Sequence, residues 1–237
     1  MDLSPEVIRR RVFNQAVNDA LQAKTIMGVL EPYIDKNLLA VDVGAATGHF
    51  THYFAPRSRH VHAFEAVYEV WLQLKKKEEE FANVTAHSEA VGGFVGNAPF
   101  FVDDKRLSNS GFQDLVGGPP FMAETTTLDS FLIDKGKIGF IKIDVEGNEI
   151  DVLHGAKKII QRDRPNMLVE IYSPYCVCPA GDVFAWLFAE DYQCYYYDRP
   201  NLVRVWSVGS GVDAVFQKHK VHDGDFLFIA GDSDNAG

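Results

Sequence analysis

The sequence predicts an α/β fold: an open, mostly parallel seven-stranded sheet with helices on both faces. Two observations carry this. Short apolar or alternating runs take turns with helix-like stretches along most of the chain. Several of those runs end in a glycine turn or a carboxylate, and open sheets of this kind bind ligands beyond the carboxyl ends of their strands.

In order, residues 4–35 read as helical, with Pro5 suited to a first turn and Val7, Ile8, Val12, Ala16, Leu21 and Ile26 at roughly helical spacing. The runs at 38–45 and 60–66 predict the first two strands, and 83–91 a third. Residues 68–81 predict a helix with Val70, Trp71, Leu74 and Phe81 on one face and the charged run at 75–80 as its wet side. IGFIKIDVEG at 138–147 is the strongest strand signal, followed by a helix to about 161 that Asn148 can cap. Residues 165–172, 192–198 and 225–231 complete the seven strands, and 179–190 is apolar enough for a helix packed on both sides. The domain organisation expected is a helical segment over 1–36, one domain over 37–231 and a disordered tail at 232–237.

Composition narrows the function. The chain has 237 residues, 46% apolar and 24% charged, with a net charge of −10. That balance disfavours nucleic acid and anionic membrane surfaces as partners. No apolar run nears the roughly 18 residues that span a bilayer, and the N-terminus has no signal-peptide core. Three cysteines (Cys176, Cys178, Cys194) cannot all pair, so a cytoplasmic location is expected, and the Cys176–Cys178 spacing is too tight for zinc.

The strand ends carry the chemistry. Asp42-Val-Gly44-Ala45-Ala-Thr-Gly48 is a glycine turn that brings backbone N–H groups close to a ligand. It lacks the middle glycine of the dinucleotide fingerprint, and Asp42 repels phosphate while suiting a cation such as S-adenosylmethionine. Glu65 ends the second strand about 20 residues later, where an acid accepts from both ribose hydroxyls. Ser88, Glu89 and Ala90 end the third and sit where adenine would lie. Asp144 and Glu146 follow the strongest strand, and two carboxylates delivered there by a buried run are costly unless used or paired. They lie on one side of the strand if it persists that far. Lys142 shares the parity of Asp144 and is expected to neutralise an acid, with Glu170 a further acid at the rim.

Together these segments resemble the FkbM-type methyltransferases: VDVGAATG at 41–48, AFEA at 63–66, SEAVG at 88–92, TTLDSF at 126–131, IKIDVEGNEIDVLHGA at 141–156 and RPNMLVEI at 164–171. The resemblance covers roughly residues 38–172. It implies a Rossmann-like class I methyltransferase fold, S-adenosyl-L-methionine as methyl donor, and an oxygen acceptor on a sugar or small natural product. It puts Asp42, Gly44, Ala45 and Gly48 at the methionine part of the cofactor, Glu65 and Ala66 at the ribose, Ser88, Glu89 and Ala90 near adenine, and Asp144 at the methyl-transfer centre. The family's turn often carries an Asn where Ala46 stands, and His49 follows the last glycine.

Methylating an alcohol calls for a base, and Asp144, Glu146 and His49 are the catalytic candidates, with Glu170 and His154 behind them. Asp144, Glu146 and Glu170 are also a conceivable Mg2+ set, but no metal is expected there or at His49, His52, His60 and His62. The connections at 93–126 and 199–224, the latter with His219 and His222, are expected to overhang the crevice and shape the acceptor pocket, with Phe112, Tyr172, Tyr175 and Trp206 as stacking surfaces. Two alternatives remain: a non-catalytic nucleoside-binding module and a nicotinamide-dependent dehydrogenase. The acceptor's identity and the oligomeric state are not encoded legibly.

Overall fold

The computed structural model describes residues 26–102, 110–114, 119–172, 180–198, 201–206 and 223–231. Of the expected N-terminal helical segment, residues 26–30 are described and helical, and a 3-10 turn at Glu31–Tyr33 follows. Cys176, Cys178, Tyr175, His219 and His222, the side chain of Tyr172 and the expected tail lie outside the described residues.

The central sheet has eight strands among the described residues, not seven. They are β1 (Leu39–Val43), β2 (His60–Phe64), β3 (Val84–His87), β7 (Ile138–Ile143), β8 (Asn166–Tyr172), β9 (Tyr192–Asp198), β10 (Asn201–Val205) and β11 (Asp223–Ala230). Their order is β10-β9-β11-β8-β7-β1-β2-β3. Pairs β7–β8, β1–β7, β1–β2 and β2–β3 are parallel, whereas β11 pairs antiparallel with both β8 and β9, and β10 antiparallel with β9. The mostly parallel expectation therefore holds for one half of the sheet and is corrected for the other. β10 and β11 run against β8 and β9, and antiparallel neighbours need no helical crossover.

After β3 the chain crosses back to β7, on the other side of β1. Strand order thus reverses between β1 and β7, which is where such sheets open a binding crevice.

Side-chain alternation sends Leu39, Val41 and Val43 into one core and Ala40 into another, with Phe140, Leu168 and Leu227. The first core is covered by α4 (Leu128–Leu132), α5 (Glu149–Gly155), α6 (Lys157–Asp163) and α7 (Ala180–Ala189). The second is covered by residues 26–30 and α1 (His49–Phe54). Helices on both faces match the expectation.

Two expected helices are each interrupted. Residues 68–81 form α2 (Tyr68–Leu74) and α3 (Lys76–Glu80), and the stretch after Asn148 forms α5 and α6, parted at Ala156. Asn148 makes no side-chain cap; Glu149 Oε1 instead accepts from Gly147 N at 2.8 Å.

The third expected strand also divides. β3 ends at His87, and Ala90–Val91 forms β4 in a separate sheet of order β4-β6-β5, with β5 at Gly96–Phe100 and β6 at Phe121–Thr126. The connection after residue 93 thus carries strands of its own. Among the described residues no helix is long and apolar enough to cross a membrane.

Candidate active site

A cleft opens at the reversal point between β1 and β7. The expected site residues Gly44, Ala45, Glu65, Ala66, Glu89, Ala90, Asp144, Glu146 and His49 all line it. So do Lys142, Glu170 and Asp225, and the aromatic rings of Phe50, Phe64, Phe100 and Phe112.

The glycine turn builds one wall. Gly44 has φ +69°, and a Cβ there would fall 1.7 Å from the carbonyl oxygen of Asp144, so only glycine lets the β1 and β7 tips close on each other. The amide of Asp144 donates to Val43 O across the same junction at 3.1 Å.

Glu65 fixes the turn from the side. Its Oε2 accepts from Ala46 N at 3.1 Å and its Oε1 from Val67 N at 2.8 Å. Burial pushes its carboxyl up to about 7 despite those two donors. Each oxygen keeps a lone pair for a ligand hydroxyl.

Three expected cofactor residues do not line the cleft. Asp42 is fully buried beneath the turn, with Oδ2 accepting from the Thr51 hydroxyl at 2.6 Å and Oδ1 lying 3.7 Å from Lys142 Nζ. It shares strand parity with Ala40 and is tied to Thr51 of α1, below the residues that line the cleft. Burial raises its pKa, and Lys142 and Thr51 oppose the rise. Gly48, φ +84°, begins α1 and faces Leu74 and Lys77. Ser88 is exposed between the two sheets.

Asp144 and Glu146 lie beyond the last residue of β7, so the strand does not persist to carry both. Glu146 reaches the cleft through a tight turn with φ +53°, followed by Gly147 at φ +99°. Lys142 is 5% exposed and donates to Gly44 O at 2.8 Å and to Asp144 Oδ2 at 3.0 Å. Burial opposes its charge, but the carboxylates of Asp144 and Asp42 outweigh this and push its pKa above the usual lysine value. Its one positive charge is thereby spent on protein groups, leaving the cleft acidic.

Glu170 is strongly perturbed there. The Asp144 carboxylate first, then burial, then Asp225 hold its pKa well above the ordinary range. Sequence reading had named Glu170 but not its partner, and had passed over Asp225, whose only signal was an acid opening the run FLFIA.

The far wall is aromatic. Phe100 and Phe112 meet edge-on, centroids 5.3 Å apart, and Phe121 packs against Phe100 at 5.5 Å. Phe112 and the connection after residue 93 do reach the cleft, whereas Trp206 is 75% exposed, with the Arg204 guanidinium 3.9 Å from its ring centroid. His154 packs on Trp186 in the helical layer. The four histidines at 49–62 do not converge: His52 pairs with Glu80 at 3.0 Å, and His62 Nδ1 lies 3.0 Å from His87 Nε2. Among the described residues no three His, Cys, Asp or Glu side chains form a group fit to hold a metal ion.

The sequence matches the model of the methyltransferase FkbM domain over residues 42–194. No curated protein matches it. Among solved structures it is similar to a methyltransferase FkbM from Methylobacillus flagellatus KT, with a TM-score of 0.54 and 16% identity over 82% of this chain and 44% of that one. The chain thus spans less than half the length of that protein. It is also similar to an rRNA methylase from Streptococcus thermophilus, with a TM-score of 0.50 and 12% identity over 87% of this chain and 94% of that one. At such identities the likeness is one of fold.

Proposed function

Because this chain belongs to the methyltransferase FkbM domain family, we propose that it transfers the methyl group of S-adenosylmethionine to a hydroxyl of a sugar or small natural product. One observation carries the reading: Glu65 and Asp144 face the same cleft from the tips of β2 and β7, on either side of the Gly44 turn.

The donor set suits this cofactor. A carboxylate with free lone pairs (Glu65) fits the ribose diol, and Ala66, Glu89, Ala90 and Val91 form a wall against which adenine can lie. The backbone of Gly44 and Ala45 fits the methionine part, and Asp144 and Glu146 offer negative charge to a sulfonium and an ammonium. No cation other than Lys142, already paired, lines the cleft among the described residues to receive a pyrophosphate. That disfavours a nicotinamide dinucleotide. Asp42, Gly48 and Ser88 are not assigned cofactor contacts; Asp42 and Gly48 act on the shape of the turn.

Bound there, S-adenosylmethionine supplies an electrophilic methyl group. The chain's own residues align the acceptor oxygen with it, and alignment accounts for up to roughly 7–11 kcal/mol of such a barrier. Asp144 receives the hydroxyl proton, with Glu146 and His49 as the neighbouring bases. Phe100 and Phe112 offer an apolar face to a sugar ring or a natural-product skeleton. The acidic cleft disfavours phosphate, which supports a small neutral acceptor over RNA.

Calorimetric titration with S-adenosylhomocysteine tests the pocket. Glu65→Ala is expected to weaken binding by one or two charge-assisted hydrogen bonds, about 1.5–3 kcal/mol each; unchanged affinity would mean the ribose lies elsewhere. Incubation with labelled methyl donor and a panel of sugars, small alcohols and RNA then tests the acceptor, and labelling of RNA alone would overturn the class. Turnover is expected to be undiminished in EDTA, since no metal is assigned a role.

A further inference from the structure

Hydroxyl methylation releases a proton: the C–O bond forms as the C–S bond breaks, the electron pair stays on sulfur, and the hydroxyl hydrogen must leave as H+. A base half-covered and set among other acids needs somewhere to send it. The register of the sheet supplies a route.

Asp42 lies beside Lys142 across β1 and β7, and Ile143 beside Val169 across β7 and β8, so the next residues, Asp144 and Glu170, adjoin at the two strand tips. Glu170 lies directly opposite Asp225 across β8 and β11. Parity puts the whole row on one face, immediately above Ala40, Phe140, Leu168 and Leu227, which share one core. Asp144, Glu170 and Asp225 therefore stand in line on three adjacent strands, all in the cleft. Asp144 is joined to Lys142 at one end by a 3.0 Å contact and adjoins Glu170 at the other, where its carboxylate opposes a second negative charge.

Taking the O-methyltransferase reading as its premise, we infer that Asp144, Glu170 and Asp225 form a proton relay, in which Glu170 takes the acceptor's proton from Asp144 and delivers its own to Asp225. At rest Lys142 holds Asp144 at 3.0 Å, and Glu170 carries the row's proton. Asp144 takes the hydroxyl proton. Glu170 surrenders its proton to Asp225, which is partly exposed, and accepts Asp144's in return. Asp225 loses the proton to water, and the row regains its resting state. Glu170 acts through Asp144, so it is a positioning residue. The groups facing it are Asp144, Glu146 and Lys142 from the β7 end, Asp225 from β11, and His49 from α1 across the cleft.

The proton store can be read without an acceptor. In the whole protein labelled with 13C at side-chain carboxyls, a pH titration by NMR should show, besides Glu65 and Glu149 near 7, a further carboxyl that ionises well above the ordinary range. Glu170→Gln should remove that signal. Asp144→Asn and Asp225→Asn should each move it down, because each deletes a negative neighbour that now raises it. A Glu170 signal in the ordinary range, or one indifferent to Asp144→Asn, would overturn the relay and leave the methyltransferase reading standing. Failure of the wild type to bind S-adenosylhomocysteine would do the reverse. With an acceptor from the panel above, Glu170→Gln, which preserves shape, should lower kcat about a hundredfold with little change in KM. An unchanged kcat would also overturn it.

Discussion

Glu149 is only 2% exposed, yet it is an acid in the turn that carries Asp144 and Glu146 into the cleft. Burial pushes its pKa up to about 7, against the N–H of Gly147 and helped by the nearby Asp144 charge. The sign follows from linkage. Below the unfolded value of 4.5 the group is neutral in both states and contributes nothing. Between that value and about 7 the unfolded chain ionises while the folded one does not, so stability falls as pH rises, and above about 7 the deficit is constant. Its size is on the order of 3 kcal/mol at about 1.4 kcal/mol per unit. Glu149→Gln keeps an oxygen for Gly147 and removes the titration. We expect the variant to match the wild type near pH 4 and to melt at a higher temperature near pH 8; parallel melting curves across that range would refute it. The same logic explains Asp42 and Asp144 differently. Asp42 sits at the foot of a junction and is held by Thr51 and Lys142, while Asp144 shares Lys142 but keeps part of its surface in the cleft.

The helices that cover the first core are short, and their ends are tied to one another. Thr127 caps α4 through a reciprocal pair with Ser130. Asp129, one turn into the same helix, accepts from Lys158 N and Ile159 N, both at 2.9 Å, and so caps α6 from a neighbouring element. Asp129→Ala should destabilise the protein by about 1 kcal/mol, the usual loss for a helix N-cap, read as a lower midpoint in urea with an unchanged slope. An unchanged midpoint would mean water replaces the carboxylate at no loss. This kind of tie explains part of what sequence reading missed. The apolar spacing after Asn148 predicts one helix with Ile150, Leu153 and Ile160 inward, and Leu153 and Ile160 are buried while Ile150 is half-buried. The break at Ala156 depends on a carboxylate 27 residues earlier in the chain, and periodicity carries no such information. Ser88 and Glu89 were read as the end of one strand because alternation runs on through 83–91; the change of sheet there is a matter of pairing, not of pattern. Glu65, Asp144 and Glu146 were legible because each carboxylate closes an apolar run. The partnership of Asp144 with Glu170 was not, since it arises only when β7 and β8 settle into register. Strand parity also failed to orient Asp42, because β1 is buried on both faces and neither face reads as the wet one.

At the scale of the whole molecule the sheet is completed late. β11 inserts between β8 and β9, strands that precede it in the chain, and pairs with both along most of its length. Phe226, Leu227 and Phe228 are fully buried, Phe226 and Phe228 in the core under α4–α7 and Leu227 in the core under α1. One short strand thus joins both cores and also presents Asp225 to the cleft. Deleting even one such side chain to alanine typically costs about 2–5 kcal/mol, against a total stability of about 5–15 kcal/mol for a domain. A chain ended before Asp223 loses all three and leaves β8 and β9 with facing, unpaired edges. We expect that truncation to show no cooperative thermal transition and no S-adenosylhomocysteine binding, even though Gly44, Glu65 and Asp144 are all still present. Pairing over such long sequence separations also slows folding, so β11 should gain amide protection last in pulse-labelled hydrogen exchange during refolding. Early protection of 223–230, or a truncated chain that still melts cooperatively and binds the cofactor product, would show that the parallel half of the sheet stands alone and that the site needs nothing from the strand that closes it.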